Sequence, residues 1–230
     1  MLFLGFICGA CWASFCGCLA YRLPLHLNLG GRSCCDHCAR QLRWFELIPI
    51  LSYLLLRGHC RACQTKINPA LIIGECLSGL FALKLTQIFL WQPLPLFIHS
   101  LLWFGCLIFL SYLDYYTQFI YPALLLPLII HRFTIITTTQ ILISQLLLAG
   151  CCFMALIIIS QNGRLLGFGD IELLTVIAFC FDLNYLLHIL LFGSGIALIF
   201  ILFHHNKATK KHLPIPFVPF ITLGFYLAQF

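Results

Sequence analysis

The 230 residues are 62% apolar and only 9% charged, with a mean hydropathy of +1.01, which leaves too few polar side chains to clothe a water-facing surface. That excludes a disordered chain, a nucleic-acid reader and a secreted disulfide scaffold, and it identifies an all-α protein that crosses the lipid bilayer several times. The net charge of +6, from 13 Lys and Arg against 7 Asp and Glu, then reads as membrane topology and not as a nucleic-acid footprint.

A helix crossing about 30 Å of hydrocarbon needs about 20 apolar residues. Runs of this kind predict about eight transmembrane helices, at 2–21, 69–91, 94–113, 118–134, 138–160, 171–186, 187–203 and 213–230. The first has no basic residue ahead of it and is followed by Arg22, Leu23 and Pro24 where a cleavage site would need small residues, so it is expected to stay as an anchor. Three parts result: a first span (1–21), a cytoplasmic Cys-tetrad domain (22–68) and a multi-span membrane domain (69–230). Seven Lys or Arg residues lie in 22–68, Arg164 in 161–170, and Lys207, Lys210 and Lys211 in 204–212. Eight spans put all three segments on one face, the cytoplasm, with both termini outside. Lys84 and Arg132 fall within spans, where long side chains can reach an interface. Thr137, Thr138 and Thr139 suggest a short outer turn, and no internal repeat is visible.

The segment 22–68, at 47 residues, is too small to rely on a hydrophobic core and needs a metal or disulfide staple. Of 14 cysteines, nine (Cys8, Cys11, Cys16, Cys18, Cys76, Cys106, Cys151, Cys152, Cys180) lie in apolar spans and read as small fillers. Cys35-x-x-Cys38 and Cys60-x-x-Cys63 are different: two pairs separated by 21 residues can bring four thiolates to the corners of a tetrahedron, which suits zinc. A reducing cytoplasm disfavours disulfides, and the absence of a βαβ pattern disfavours a thioredoxin-like motif. Four thiolates leave no coordination position for water, so the expected Zn2+ is structural. Cys34 creates an ambiguity of register, and His37 and His59 flank the set as bystanders.

Among the acids, Asp36 and Glu46 sit in this segment, Glu75 near the start of the second span and Asp182 near the outer end of the sixth. Asp114 and Asp170 are expected at the inner ends of spans three and six, hence at one membrane depth. Either could be a plain helix-end residue, and Asp170, after Gly167-Phe168-Gly169, has the position of an N-cap. Ionisable groups at membrane depth are nevertheless functional candidates, and two carboxylates sharing one proton supply the base and acid of aspartic proteolysis.

In order along the chain, Ser14-Phe15, Tyr21-Arg22-Leu23-Pro24, Gly31-Arg32-Ser33, the four cysteines, Glu46-Leu47-Ile48-Pro49 with Leu51-Ser52-Tyr53, Asp114, Gly167-Phe168-Gly169-Asp170 and Pro216-Phe217-Val218-Pro219-Phe220 together resemble the prepilin peptidases, or type IV leader peptidases. The resemblance implies a membrane-embedded aspartic endopeptidase of the bacterial cell membrane with Asp114 and Asp170 as its catalytic pair. Its implied substrates are prepilins or pseudopilins, whose short basic leader it removes at the cytoplasmic face. It also implies N-methylation of the new terminus with S-adenosylmethionine, associated with the cytoplasmic segment. No glycine-rich nucleotide fingerprint locates that cofactor, and Glu46 and Glu75 are equally readable as structural. Gly17, Glu172, Val218 and the Ile120-Tyr121-Pro122 step depart from the family's common residues and look more like the short competence-type enzymes of Gram-positive bacteria. From other classes, a multi-span transporter and a zinc-knuckle membrane scaffold without chemistry are the alternatives.

Overall fold

A computed structural model describes residues 2–89, 94–135, 139–160, 166–204 and 215–229. Among these, the regular structure is helical apart from two isolated β-bridges. The α-helices are α1 (Leu2–Arg22), α2 (Leu51–Leu55), α3 (Pro69–Phe89), α4 (Leu94–Thr117), α5 (Leu126–Ile135), α6 (Thr139–Ser160), α7 (Phe168–Cys180), α8 (Leu183–His204) and α9 (Val218–Ala228).

Every expected span coincides with an apolar helix, but only five of the described helices, α1, α3, α4, α6 and α8, are long and apolar enough to cross a bilayer. The 13 residues of α7 make about 20 Å of helix, two thirds of the hydrocarbon thickness. The fourth run is shortened because Pro122 opens a 3-10 turn, Pro122–Leu125, so that the α-helix starts only at Leu126. The boundary between the sixth and seventh runs also moves, from 186/187 back to Phe181–Asp182. Asp182 precedes α8, where its carbonyl accepts the Leu186 N–H at 3.1 Å, and is not within a helix end as expected. Continuous hydropathy conceals this break, because leucines run on both sides of a single polar start. Arg164, Lys207, Lys210, Lys211, Thr137 and Thr138 lie outside the described residues.

The chain packs as two units, Met1–Phe97 and Ile98–Phe230. In the first, α1 and α3 pair closely because α1 buries only small residues, Gly5, Gly9, Ala10, Ala13, Cys16, Gly17 and Ala20. Helices in lipid gain nothing from burying apolar surface, so close backbone approach and interhelical hydrogen bonds must hold them. Ser78 Oγ donates to the Gly9 carbonyl at 2.6 Å, and a Cβ added at Gly9 would stand 2.5 Å from both the Ser78 carbonyl oxygen and the Ala82 methyl. Cys16 is a buried filler as expected, whereas Cys8, Cys11 and Cys151 lie on the exterior.

Between α1 and α3 the chain makes two turns with the same hydrogen bonds 25 residues apart. Ala39 N–H donates to Cys35 O and Gln64 N–H to Cys60 O, Cys35 N–H to Arg40 O and Cys60 N–H to Thr65 O, and Leu42 N–H to Ser33 O and Ile67 N–H to Gly58 O. Ala39 and Gln64 both have positive φ, at 55° and 58°, and the bridges Cys34–Gln41 and His59–Lys66 repeat the same offset. An internal repeat therefore exists in the backbone, masked in sequence because only the cysteines recur. Arg22 holds the chain leaving α1, its guanidinium donating to the carbonyls of Leu29, Gly31 and Arg32 at 3.1, 2.7 and 3.1 Å. Arg40 bonds buried Glu46 at 2.7 Å, and this guanidinium holds the carboxyl below its ordinary value.

In the second unit an aromatic cluster joins α4, the α7–α8 junction and α9. Trp103, fully buried, stacks on Phe225 with centroids 5.4 Å apart and meets Phe181 edge-on at 5.1 Å. The Tyr185 hydroxyl donates to the Phe225 carbonyl at 3.2 Å. Helices α8 and α9 approach through Gly193 and Gly224, where an added Cβ would strike the facing backbone.

The α1–α3 contact yields a direct test. Gly9→Ala should destabilise the purified protein by about 1–3 kcal/mol, whereas Gly150→Ala, mid-helix with no atom within 4 Å of the added methyl, should leave thermal stability unchanged or slightly raised.

Candidate active site and metal centre

Asp114 stands three residues from the end of α4 and is 6% exposed. A carboxylate so buried needs donors, and α9 supplies them. Val218 N–H, at the first residue of α9, donates to Asp114 Oδ2 at 3.0 Å, and the Phe217 N–H also reaches the carboxylate. Pro219, at the second position of the helix, has no N–H to leave unsatisfied there. The segment Pro216–Phe220 thus positions a helix N-terminus on Asp114, where aligned dipoles favour an anion. Ser111 and Thr222 hold the same two helices together, with their hydroxyls 2.6 Å apart.

Asp170 is the third residue of α7, and its carboxylate accepts the N–H of the N-cap residue Gly167. Both glycines before it have a steric reason. A Cβ at Gly167 would lie 3.3 Å from Asp170 Oδ2, and one at Gly169 would fall 2.8 Å from Cβ of Ile120. Gly-Phe-Gly-Asp is therefore a helix start that packs flush against the residues following α4. The result is one cleft of about 280 Å³ whose lining includes Asp114, Gln118, Ile120, Gly167, Asp170 and Glu172. The N-cap position expected for Asp170 falls instead to Gly167, which leaves the carboxylate inside the helix and free to face the cleft.

In the first unit, the Sγ atoms of Cys35, Cys38, Cys60 and Cys63 lie within 4.8 Å of one another, with Cys35 and Cys63 3.8 Å apart. Tetrahedral zinc–thiolate bonds of about 2.3 Å require S···S separations of about 3.8 Å, so this group could hold a metal ion with little movement. The surrounding donors suit thiolates. N–H groups of Cys63 and Ala62 pull the Cys60 thiol down to about 6, and the hydroxyl of Thr65, 2.7 Å from Cys63, lowers that thiol too. Cys38 moves to about 11, since the Arg40 N–H is outweighed by burial and the three other thiols. Cys34 is exposed and outside the set, which resolves the register in favour of Cys35. His59 turns away, its Nδ1 2.7 Å from the Arg57 carbonyl.

Sequence reasoning did not find the roles of Phe217, Val218 and Ile120, because a backbone donor and a packing surface have no side-chain signature. It also left Glu75 unassigned. Glu75 Oε2 accepts the Ile50 N–H at 2.7 Å and Ser14 also bonds the carboxylate, so this acid ties the cysteine segment to α1 and α3.

Residues 7–89 match the Bacterial Peptidase A24 N-terminal domain, and residues 101–202 match the Type IV leader peptidase family. A Bacillus subtilis protein named prepilin leader peptidase/N-methyltransferase is 30% identical over 99% of this chain and 93% of its own length. A protein of the same name from Aeromonas hydrophila is 28% identical over 86% of this chain and 70% of its own. One from Neisseria gonorrhoeae is 42% identical over 42% of this chain, and there the match spans only 33% of the relative. No solved structure matches. With both parts of its length matched by models of one enzyme group and a relative aligned almost end to end, the chain belongs to the type IV leader peptidase family.

Proposed function

We propose that this protein is a membrane-embedded aspartic endopeptidase that removes the basic leader of prepilins or pseudopilins, with Asp114 and Asp170 as the catalytic pair. The observation that carries this reading is the shared cleft, which joins two acids 56 positions apart in the chain (170 − 114) in a protein of this family. Neither a transporter nor an inert scaffold gains support from any observed feature.

Asp114, backed by N–H groups of α9, carries the charge and draws a proton from water. The water oxygen bonds to the scissile carbonyl carbon as Asp170 gives its proton to the carbonyl oxygen. Collapse of the diol breaks the C–N bond, Asp114 passes its proton to the leaving nitrogen, and Asp170 recovers its own from the diol oxygen. Gly169 lets the start of α7 sit close to Ile120, and Glu172 in the cleft lining adds negative charge that favours a basic leader.

We read the five long helices together with α5, α7, α9 and their flanking residues as eight crossings, with the cysteine segment and the cleft on the cytoplasmic side of a bacterial membrane. The clustering of basic residues in 22–68 supports this orientation. Zn2+ bound by Cys35, Cys38, Cys60 and Cys63 would act as a staple for a segment too small to fold on its own core. The relatives' name adds N-methylation, which we assign as a second activity. The cleft lined by Phe45, Leu55 and Arg57 in the first unit does not suit S-adenosylmethionine, because Arg57, His59 and Arg61 line it without any acid to face a sulfonium or a ribose diol. No step through that cofactor follows from it.

Asp114→Asn and Asp170→Asn should each lower the rate of leader removal from a co-reconstituted prepilin by about 10²–10⁴-fold, with zinc content unchanged; undiminished cleavage by both variants would remove the proposed chemistry. Conversely, Cys35→Ser or a strong chelator should make the 22–68 segment sensitive to protease and release close to one zinc per chain, and a segment equally resistant without metal would count against the staple. Glu172→Lys should slow strongly basic leaders several-fold more than weakly basic ones, a ratio measured by competition between two prepilins.

A further inference from the structure

The segment between α1 and α3 carries an arrangement that a water-exposed domain does not need. Helices α1 and α3 have 21 residues each, about 31 Å at 1.5 Å per residue, against about 30 Å of hydrocarbon. Neither can project far beyond the bilayer while spanning it. Glu75 lies six residues inside α3 and Ser14 eight residues inside α1 from the ends that face the segment, about 9 and 12 Å along the two axes. Both meet at the Glu75 carboxylate, and so does the N–H of Ile50. The backbone at Ile50 therefore reaches the depth of the second turn of α3, below the level of the polar surface.

Its conformation fits that setting. Ile50 has φ 64° and ψ −54°, and Leu51 N–H donates to Pro49 O at 2.6 Å, a tight turn that a β-branched residue adopts only under constraint. The turn points its free N–H at Glu75, which satisfies a backbone donor where water is scarce. Directly after it, α2 presents Leu51, Leu54 and Leu55, at positions i, i+3 and i+4 on one helix face. Leu54 and Leu55 are 60% and 70% exposed, and Trp44, in the preceding 3-10 turn, is 77% exposed. Uncovered side chains of this size outside a span mark a surface that meets another apolar phase. Beside them opens a cleft of about 420 Å³ with Phe45, Leu55 and Leu56 as its apolar wall and Arg57 and Arg61 as its cationic side.

We propose that Trp44–Arg61 is an interfacial membrane element: α2 lies in the leaflet on that side, and the adjoining cleft binds the headgroup of an anionic phospholipid. Apolar residues at the acyl boundary, a tryptophan at the interface and arginines directed at phosphate are the pattern by which such elements hold to a bilayer. The same leaflet supplies both halves of the ligand, acyl chain and anion, which a free phosphate would not. Lipid held here would fix the height of the metal-binding segment above the membrane.

The test uses the full chain in nanodiscs of phosphatidylcholine containing a minor fraction of phosphatidylglycerol. The photo-reactive residue benzoylphenylalanine replaces Leu51, Leu54 or Ala62, and intact mass identifies each adduct, with zinc content as the control for folding. Positions 51 and 54 should capture phospholipid and position 62, on the exposed side of a cysteine turn, should not. Phosphatidylglycerol should be enriched several-fold over its bulk share in these adducts, and Arg57→Asn with Arg61→Gln should return it to the bulk share. Absence of lipid adducts at both leucines, an unenriched headgroup, enrichment unaffected by the arginine changes, or its abolition by soluble glycerol phosphate would each overturn the proposal. None of these readouts depends on peptidase activity, so the result is independent of the roles of Asp114 and Asp170.

Discussion

A backbone N–H buried in an apolar phase must find an acceptor inside the protein, and in each unit a carboxylate on a long apolar helix supplies it. In the first, Glu75 receives Ile50; in the second, Asp114 receives Val218, with Phe217 alongside. Both acids occupy helices of crossing length, where an unpartnered carboxylate would be costly. Both are tolerated because a distant stretch of chain, a tight turn at Ile50 and the N-terminus of α9 at Val218, returns to the helix and presents its donors. The carboxylate satisfies the returning chain and the returning chain satisfies the carboxylate, so neither is stable in place without the other.

This reciprocity has a different outcome in the two units. Glu75 is enclosed by Ile50 and Ser14 and is 8% exposed, which leaves it a fastening. Asp114 is equally buried, yet it borders a cleft that also receives Asp170. The difference lies in the glycines of the second unit. Gly169 allows α7 to begin against Ile120, which brings the first turn of α7 to the residues that follow α4. With any side chain at 169 the helix start would have to retreat from Ile120, and Asp170 with it.

The cysteine cluster depends on another kind of economy. Two turns with one hydrogen-bond pattern, 25 residues apart, place two cysteines each at the corners of a tetrahedron. Positive φ at Ala39 and Gln64 shows that the fold specifies the turn through backbone hydrogen bonds and the thiols, since neither residue is one that favours that region. This is why the repeat escapes inspection of residues while the CxxC spacing does not.

Composition and spacing by themselves determined that the chain is helical and membrane-bound, where its apolar helices lie and which four thiols form a set, and they singled out the two acids that the structure brings to one cleft. Each of these is a property of hydropathy or of residue type at short range, and short-range signals survive without coordinates. Helix lengths were less legible. Pro122 shortens the fourth run and Asp182 moves the boundary between the sixth and seventh, so among the described residues five helices have crossing length and α5, α7 and α9 are shorter than the runs predicted. Only the tertiary structure decided that α9 caps Asp114, that Ile120 requires Gly169 and that Glu75 anchors Ile50. Those contacts link residues 25 to 104 positions apart through backbone N–H groups, which every residue but proline possesses, or through the space a glycine leaves, and no sequence pattern marks the partner of either.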